Sequence, residues 1–241
     1  MQKTITPPLI VLKDVCKTYP LAAGFFTALN HIDIELWAGE FVAVVGKSGS
    51  GRSTLMNLVT GIDQVSSGEI VVGSTKVHTL TQTELSRWRG INIGVVFQFF
   101  QLLPRLTIIE NVMLPMDFCN TFPMRERRSR ALALLTKLGI LEQADKLPSA
   151  LSGGQQQRAA IARALANDPS VLIADEPTGN LDSETANTIV QLFADLVAEG
   201  KTVLMVTHER EYEQYFDRTI SLVDGMIPKR NNPVARSAEN A

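Results

Sequence analysis

Three runs of the chain are apolar almost without interruption: Phe41-Val42-Ala43-Val44-Val45, Val171-Leu172-Ile173-Ala174 and Val203-Leu204-Met205-Val206. A strand with one wet face alternates apolar and polar residues, whereas a strand covered on both faces does not. The three runs therefore predict buried strands of a parallel sheet. Segments with helical spacing lie between and around them, at 53–60, 126–138, 153–166 and 183–198. Strands that take turns with helices predict an α/β fold with a mostly parallel central sheet.

The front of the chain reads differently. Ile10-Val11-Leu12, Ile32-Asp33-Ile34-Glu35-Leu36 and Glu69-Ile70-Val71-Val72 are short, and the second alternates cleanly. That pattern predicts an N-terminal antiparallel β subdomain with one wetter face. Between about 98 and 160 strand signals vanish, which predicts a helical subdomain inserted into the α/β core. The expected organisation is one unit over 1–227 and a polar, mobile tail over 228–241. Within the helical part, the run from Arg125 to Arg130 reads as the solvated first turn of a helix, without a function.

Composition narrows the class. The 241 residues are 45% apolar and 20% charged, the balance of a globular chain with a sizeable core. Lys and Arg number 23 against 25 Asp and Glu, for a net charge of −2. A dedicated nucleic-acid binder usually carries a basic excess. No apolar stretch approaches the ~20 residues that span a bilayer. The four apolar residues Leu9 to Leu12 are too few for a secretory signal core. Two cysteines, Cys16 and Cys119, build neither a disulfide framework nor a cysteine-rich metal site. The expectation is a soluble, cytoplasmic protein.

The chemistry begins after the first buried strand. Gly46-Lys47-Ser48-Gly49-Ser50-Gly51-Arg52-Ser53-Thr54 precedes the helical run Leu55-Met56-Asn57-Leu58-Val59. Strand, glycine-rich loop and helix in that order form the context of a nucleotide phosphate loop. Glycines let backbone N–H groups approach phosphate oxygens closely. The helix start adds unpaired N–H groups and the positive end of a dipole, and the Ser53 hydroxyl falls where a Mg2+ ligand is needed. The pattern for such loops, G-x-x-x-x-G-K-[ST], has lysine where this chain has Arg52. A guanidinium is longer, planar and bidentate, whereas an ammonium is a compact point charge. Arg52 keeps the charge but is expected to crowd the loop or misplace the γ-phosphate. Lys47, early in the loop, is expected to face solvent and not to replace it.

Three further stretches add candidates. Leu151-Ser152-Gly153-Gly154-Gln155-Gln156-Gln157-Arg158 opens a helix that ends before Asn167-Asp168-Pro169. Ser152 and Gln155 have the spacing of a capping box, and the same cap leaves Ser152 and the Gly153 and Gly154 amides facing outward as an anion site. The two readings are compatible. Val171 to Ala174 runs into Asp175-Glu176-Pro177. Adjacent carboxylates at a strand end are either solvated or used to hold a metal and activate water; Asp175 suits Mg2+ and Glu176 the attacking water. The strand at 202–206 ends in Thr207-His208-Glu209, which brings a histidine to the same region. His31 and His78 lack such a context and read as surface or packing residues.

On Leu-Ser-Gly-Gly-Gln at 151–155, Asp-Glu-Pro-Thr-Gly-Asn-Leu-Asp at 175–182 and Thr207-His208, in that order after Gly46, the chain resembles the ATP-binding subunits of ABC transporters over residues about 9 to 227. The resemblance implies a P-loop NTPase core, an ATPase activity, and ATP and Mg2+ as ligands. It implies that Tyr19 stacks on adenine, plain packing being the other reading of that residue. Gly46, Lys47, Ser48, Gly49, Ser50, Gly51, Arg52, Ser53 and Thr54 would wrap the phosphates. Ser53, Gln98 and Asp175 would address Mg2+, while Gln98, Glu176 and His208 would serve the attacking water and the γ-phosphate. Ser152, Gly153, Gly154 and Gln155 would address ATP held by the opposite protomer of a homodimer. Asp182 would lie in the loop that crosses the dimer interface.

The stretches 98–104 and 175–182 are most similar to the branch that serves lipoprotein-release and macrolide-export permeases. The implied partner is an integral-membrane permease, which would hold the chain at the inner face of the cell membrane; no nucleic acid is implied. The apolar segment from Phe99 to Leu106, with Met113, Leu114 and Met116 nearby, either lines a groove for a permease helix or packs the helical part on the core. Three functions are weighed on this basis. The first is an ATPase motor for a separate permease, and the second a nucleotide-binding subunit whose hydrolysis is impaired by Arg52. The third, a soluble ABC ATPase of DNA repair or translation, is disfavoured by the lack of a coiled-coil insertion and by the net charge.

Overall fold

The computed structural model describes residues 7–22, 24–209 and 211–228. Residues 229–241 of the expected tail lie outside the described residues. Five parallel strands form one sheet in the order β6-β7-β8-β3-β9: β3 is Phe41–Val45, β6 Ile93–Val96, β7 Val171–Asp175, β8 Thr202–Thr207 and β9 Arg218–Ser221. An antiparallel sheet has the order β2-β1-β4-β5, from β1 (Ile10–Leu21), β2 (Gly24–Leu36), β4 (Ser67–Val72) and β5 (Thr75–Lys76). The described residues also form four short 3-10 turns and six α-helices: α1 (Arg52–Val59), α2 (Gln82–Asn92), α3 (Ile108–Cys119), α4 (Met124–Lys137), α5 (Gly153–Ala164) and α6 (Ser183–Ala198).

The unbroken apolar runs have the cause the pattern predicts. Val171 and Ile173 pack with Val42, Val44, Leu204 and Val206 on one side of the sheet. Leu172 and Ala174 pack with Phe41, Val203, Met205 and Phe193 on the other. Both faces of β3, β7 and β8 are thus buried, and polar residues stand only at strand ends, at Asp175, Thr202 and Thr207.

The front strands are longer than the expected short segments. β1 and β2 run 12 and 13 residues and stay paired from Ile10↔Leu36 to Leu21↔Gly24. Register shifts between Leu12 and Thr18 break the alternation that marks a strand in sequence. At these irregularities Asp14 and His31 adopt φ of 52° and 51°, and the His31 ring meets the Asp14 carboxylate at 2.5 Å. His78 bonds the Ile70 backbone at 3.1 Å. Both are structural, in line with their expected roles.

The arginine-rich run opens α4 with Arg125, Glu126, Arg128 and Ser129 exposed, as expected, but Arg127 departs from that reading. Arg127 is 6% exposed. It donates to Asp117 at 2.7 Å, Asn120 at 2.5 Å and the Phe122 carbonyl at 2.8 Å, and Arg130 lies 3.6 Å over the Phe122 ring. The buried charge is tolerated because carboxylate, amide and carbonyl surround it. Met116, expected near a surface groove, is fully buried in the core with Val112 and Leu135. Among the described residues no helix is long and apolar enough to cross a membrane.

Candidate nucleotide site

The phosphate loop leaves β3 and enters α1 through glycines that have no substitute. Gly51, the N-cap of α1, has φ 100° and no side-chain cap bond. A Cβ there would meet the Ala28 carbonyl at 2.5 Å, and one on Gly46 would meet Ser50 Oγ at 2.5 Å. α2, α3, α5 and α6, by contrast, each start under a side-chain oxygen, from Thr81, Thr107, Ser152 and Asp182. The first turn of α1 is therefore open to an anion. Lys47 is exposed, as expected. A cleft of about 490 Å³ opens beside the loop, walled by Lys47, Ser50, His208, Ser221 and Asp224.

Arg52, the first residue of α1, pairs with the turn after β7. Its Nη2 donates to Glu176 Oε1 at 2.9 Å, and His208 Nδ1 stands 3.4 Å from the same oxygen. Glu176 sits in a left-handed turn at φ 44°, tied to β8 by its amide bond to the Val206 carbonyl at 2.8 Å. Burial pushes the neighbouring Asp175 carboxyl above its ordinary range; the Glu176 charge adds to this and the Arg52 charge offsets it. Three expected site residues, Arg52, Glu176 and His208, thus converge from three elements.

The residues fit a phosphate ligand. Arg52 Nη1 and Ser50 Oγ are buried without a hydrogen-bond partner, and such groups are rarely left so. The Asp175 carboxylate and the Ser53 hydroxyl supply the hard oxygen donors that Mg2+ prefers, few in number, as a cation shared with phosphates requires. A further positive charge would relieve the crowding of Asp175 by Glu176.

The other expected residues fall as follows. Tyr19, on β1, donates to Asp63 at 2.8 Å, and Lys17 lies 4.9 Å over its ring. The ring is thereby tied to the loop that follows the phosphate-loop helix. Gln98 lies against the turn after Glu176: its Nε2 comes within 2.7 Å of the place a Gly179 Cβ would take, and its carbonyl accepts from Asn180 at 2.9 Å. Ser152 and Gln155 form the expected capping box, at 3.3 and 3.0 Å. Gly154 is glycine for a reason within this chain, since a Cβ would meet Thr185 Cγ2 at 2.5 Å. Asp182 caps α6 through the Thr185 amide at 3.0 Å and hydroxyl at 2.7 Å.

Several residues that hold the site carry no role in the sequence expectations. Thr178 donates to Glu209 at 2.7 Å and buried Gln157 to the Pro177 carbonyl at 2.7 Å, which together fix the turn that carries Glu176. Asn111, fully buried in α3, exchanges bonds with Leu103, Leu106 and Thr107. A polar residue inside an apolar helical stripe was the available signal for Asn111.

A phosphate loop between a central parallel strand and its helix, with carboxylates ending another strand of the same sheet, defines a P-loop NTPase core. Residues 29–179 match the ABC transporter family, and the chain belongs to that family. It is 43% identical over 219 residues to the uncharacterized ABC transporter ATP-binding protein YvrO of Bacillus subtilis, covering 91% of this chain and 95% of that one. It is 42% identical over 238 residues to the macrolide export ATP-binding/permease protein MacB of Burkholderia pseudomallei, where it spans 98% of its own length but 36% of that protein. Among solved structures it matches the ADP- and Pi-bound, post-hydrolysis dimer of the ATP-binding cassette MJ0796, from Methanocaldococcus jannaschii, at TM-score 0.85 and 42% identity. That match covers 91% of this chain and 97% of the other.

Proposed function

We propose that this chain is the ATP-hydrolysing motor of an ABC transporter, one ATPase unit over 1–227 with its helical part at about 98–160, acting on a separate membrane permease. The observation that carries the reading is the convergence of Arg52, Glu176 and His208 on one another beside an uncapped helix start. Phosphoryl transfer requires positioning and charge neutralisation more than covalent chemistry. In this reading the loop from Gly46 to Thr54 binds the phosphates of ATP and Tyr19 carries the adenine. Ser53, Asp175 and Gln98 hold Mg2+, which supplies charge neutralisation at the phosphates when bound. Glu176 orients the attacking water and takes up its proton; His208 holds the γ-phosphoryl group.

The MJ0796 dimer and the MacB name support the rest of the reading. A single copy presents Ser152 exposed at the head of α5. A second copy placed head to tail would bring Ser152, Gly153, Gly154 and Gln155 to the first copy's ATP, with Asp182 at the seam. The exposed Phe99 and Leu103 (70% and 47%) would receive a permease helix. The chain would then work at the inner face of the membrane, and nucleic acid has no part in the reading.

A second reading is favoured by one contact. While Arg52 is paired with Glu176, the carboxylate is not free for water. Hydrolysis would be impaired even if ATP binds. Mg2+-dependent ATP hydrolysis, with nucleotide binding measured alongside, separates the two in this chain, Arg52→Lys and Glu176→Gln. Hydrolysis by this chain that Glu176→Gln abolishes supports the motor; hydrolysis by Arg52→Lys alone supports the silenced subunit. ATP binding by none of the three would overturn both.

A further inference from the structure

The loop that carries Gln98 is held in an unfavourable backbone shape by a residue outside the phosphate loop. Phe100 and Gln101 are consecutive non-glycine residues at φ 54° and 51°, a left-handed region unfavourable for both. The Gln101 amide closes back onto the Phe99 carbonyl. Such strain persists only where the surroundings impose it. The side chain that meets both carbonyls is Arg163: Nη1 donates to Gln101 at 2.5 Å and Nη2 to Phe100 at 2.8 Å.

Arg163 stands in the last turn of α5, the helix whose first turn is capped by Ser152. Gly153, at the other end, lies where a Cβ would be 3.8 Å from the Phe100 ring. α5 therefore holds the loop through Arg163 at one end and has the Phe100 ring nearby at the other. On either side of this grip, Asn180 holds the Gln98 carbonyl and Asn111 holds 103–107. Those two come from the turn after Glu176 and from α3; Arg163 alone among these three links the loop to α5. A planar fork spans two successive carbonyls, which a lysine ammonium does not.

We propose that Arg163 is a positioning residue that locks Phe100–Gln101 onto α5, so that engagement of Ser152–Gln155 at a partner's nucleotide sets Gln98 in its own site. The proposal rests on the reading of Gln98 given above. Hydrogen exchange of the full chain tests the lock, first without nucleotide and then with ATP and Mg2+ in a Glu176→Gln background. In Arg163→Lys, exchange at 99–106 is expected to rise about tenfold while 157–162 in α5 is unchanged. ATP is expected to protect 98–106 in the parent and not in Arg163→Lys. In the Arg52→Lys background, Arg163→Lys is expected to lower kcat about tenfold with KM for ATP little changed. Adding Gln101→Gly, which accepts positive φ without strain, is expected to recover part of that loss.

Unchanged exchange at 99–106 in Arg163→Lys overturns the proposal. So does a rise spread through α5 and the sheet that Gln101→Gly does not recover, which marks a merely structural residue. Equal ATP protection in parent and variant overturns the coupling. Undiminished hydrolysis in Gln98→Ala removes the reading of Gln98, and the nucleotide-free exchange still decides whether Arg163 locks the loop.

Discussion

The Arg52 guanidinium donates to the Glu176 carboxylate at 2.9 Å across 124 positions of sequence. The pair joins the arginine that departs from the phosphate-loop pattern to the carboxylate proposed to direct water. Both side chains are mostly buried, at 10% and 20% exposure, so the contact is worth more than a surface ion pair. A double-mutant cycle of Arg52→Met and Glu176→Gln in the nucleotide-free protein is expected to show coupling of about 1–2 kcal/mol in urea unfolding. With saturating ATP the coupling should fall toward zero if Arg52 moves to phosphate; unchanged coupling would show that it stays with Glu176.

Stability should depend on pH through Asp175. Its carboxyl titrates above the ordinary 3.8 because burial, and then the Glu176 charge, disfavour ionisation. A folded-state pKa above the unfolded one means stability that is full below the unfolded value and lost as pH rises through the folded one. Asp175→Asn is therefore expected to raise Tm of the nucleotide-free protein at pH 7 to 8. The gain should shrink as pH falls toward 3.8; an equal gain at all pH values would contradict this origin.

Gly154→Ala is expected to destabilise the chain by about 1–3 kcal/mol. The new methyl would strike Thr185 Cγ2, whose side chain is pinned by its bond to Asp182. Thr185→Ser removes that methyl and keeps the hydroxyl. Denaturation of the double variant should recover most of the loss, whereas Thr185→Ser alone should have a small effect.

Tyr19 owes its orientation to Asp63. Tyr19→Phe keeps the ring and removes the anchor, and is expected to weaken ATP binding about fivefold, the worth of one hydrogen bond. Tyr19→Ala should weaken it further. Equal affinity in all three proteins, read by titration calorimetry, would leave Tyr19 a packing residue.

The buried parallel strands could be read from sequence because their apolar runs are unbroken. β6 escaped because Ile93-Gly94-Val95-Val96 follows α2 at Asn92 with no loop between them, so no turn residues announce it. β9 escaped as a short edge strand whose sequence, Arg218-Thr219-Ile220-Ser221, holds a single apolar residue. Of the site, the phosphate loop, the carboxylate pair and the capping box were legible because each is local. The bond from Arg52 to Glu176 and the grip of Arg163 on Phe100 and Gln101 were not. Those contacts join residues 124, 63 and 62 positions apart, and no spacing rule reaches across strands whose order is not yet known.

Helix α1 begins at Gly51 with no side chain closing its first turn. The fold leaves that end unfinished, so whatever anion settles there completes a piece of secondary structure as well as occupying a site. The substrate then acts as the last residue of the architecture, and the rigidity of this corner of the protein becomes a gauge of how much nucleotide surrounds it.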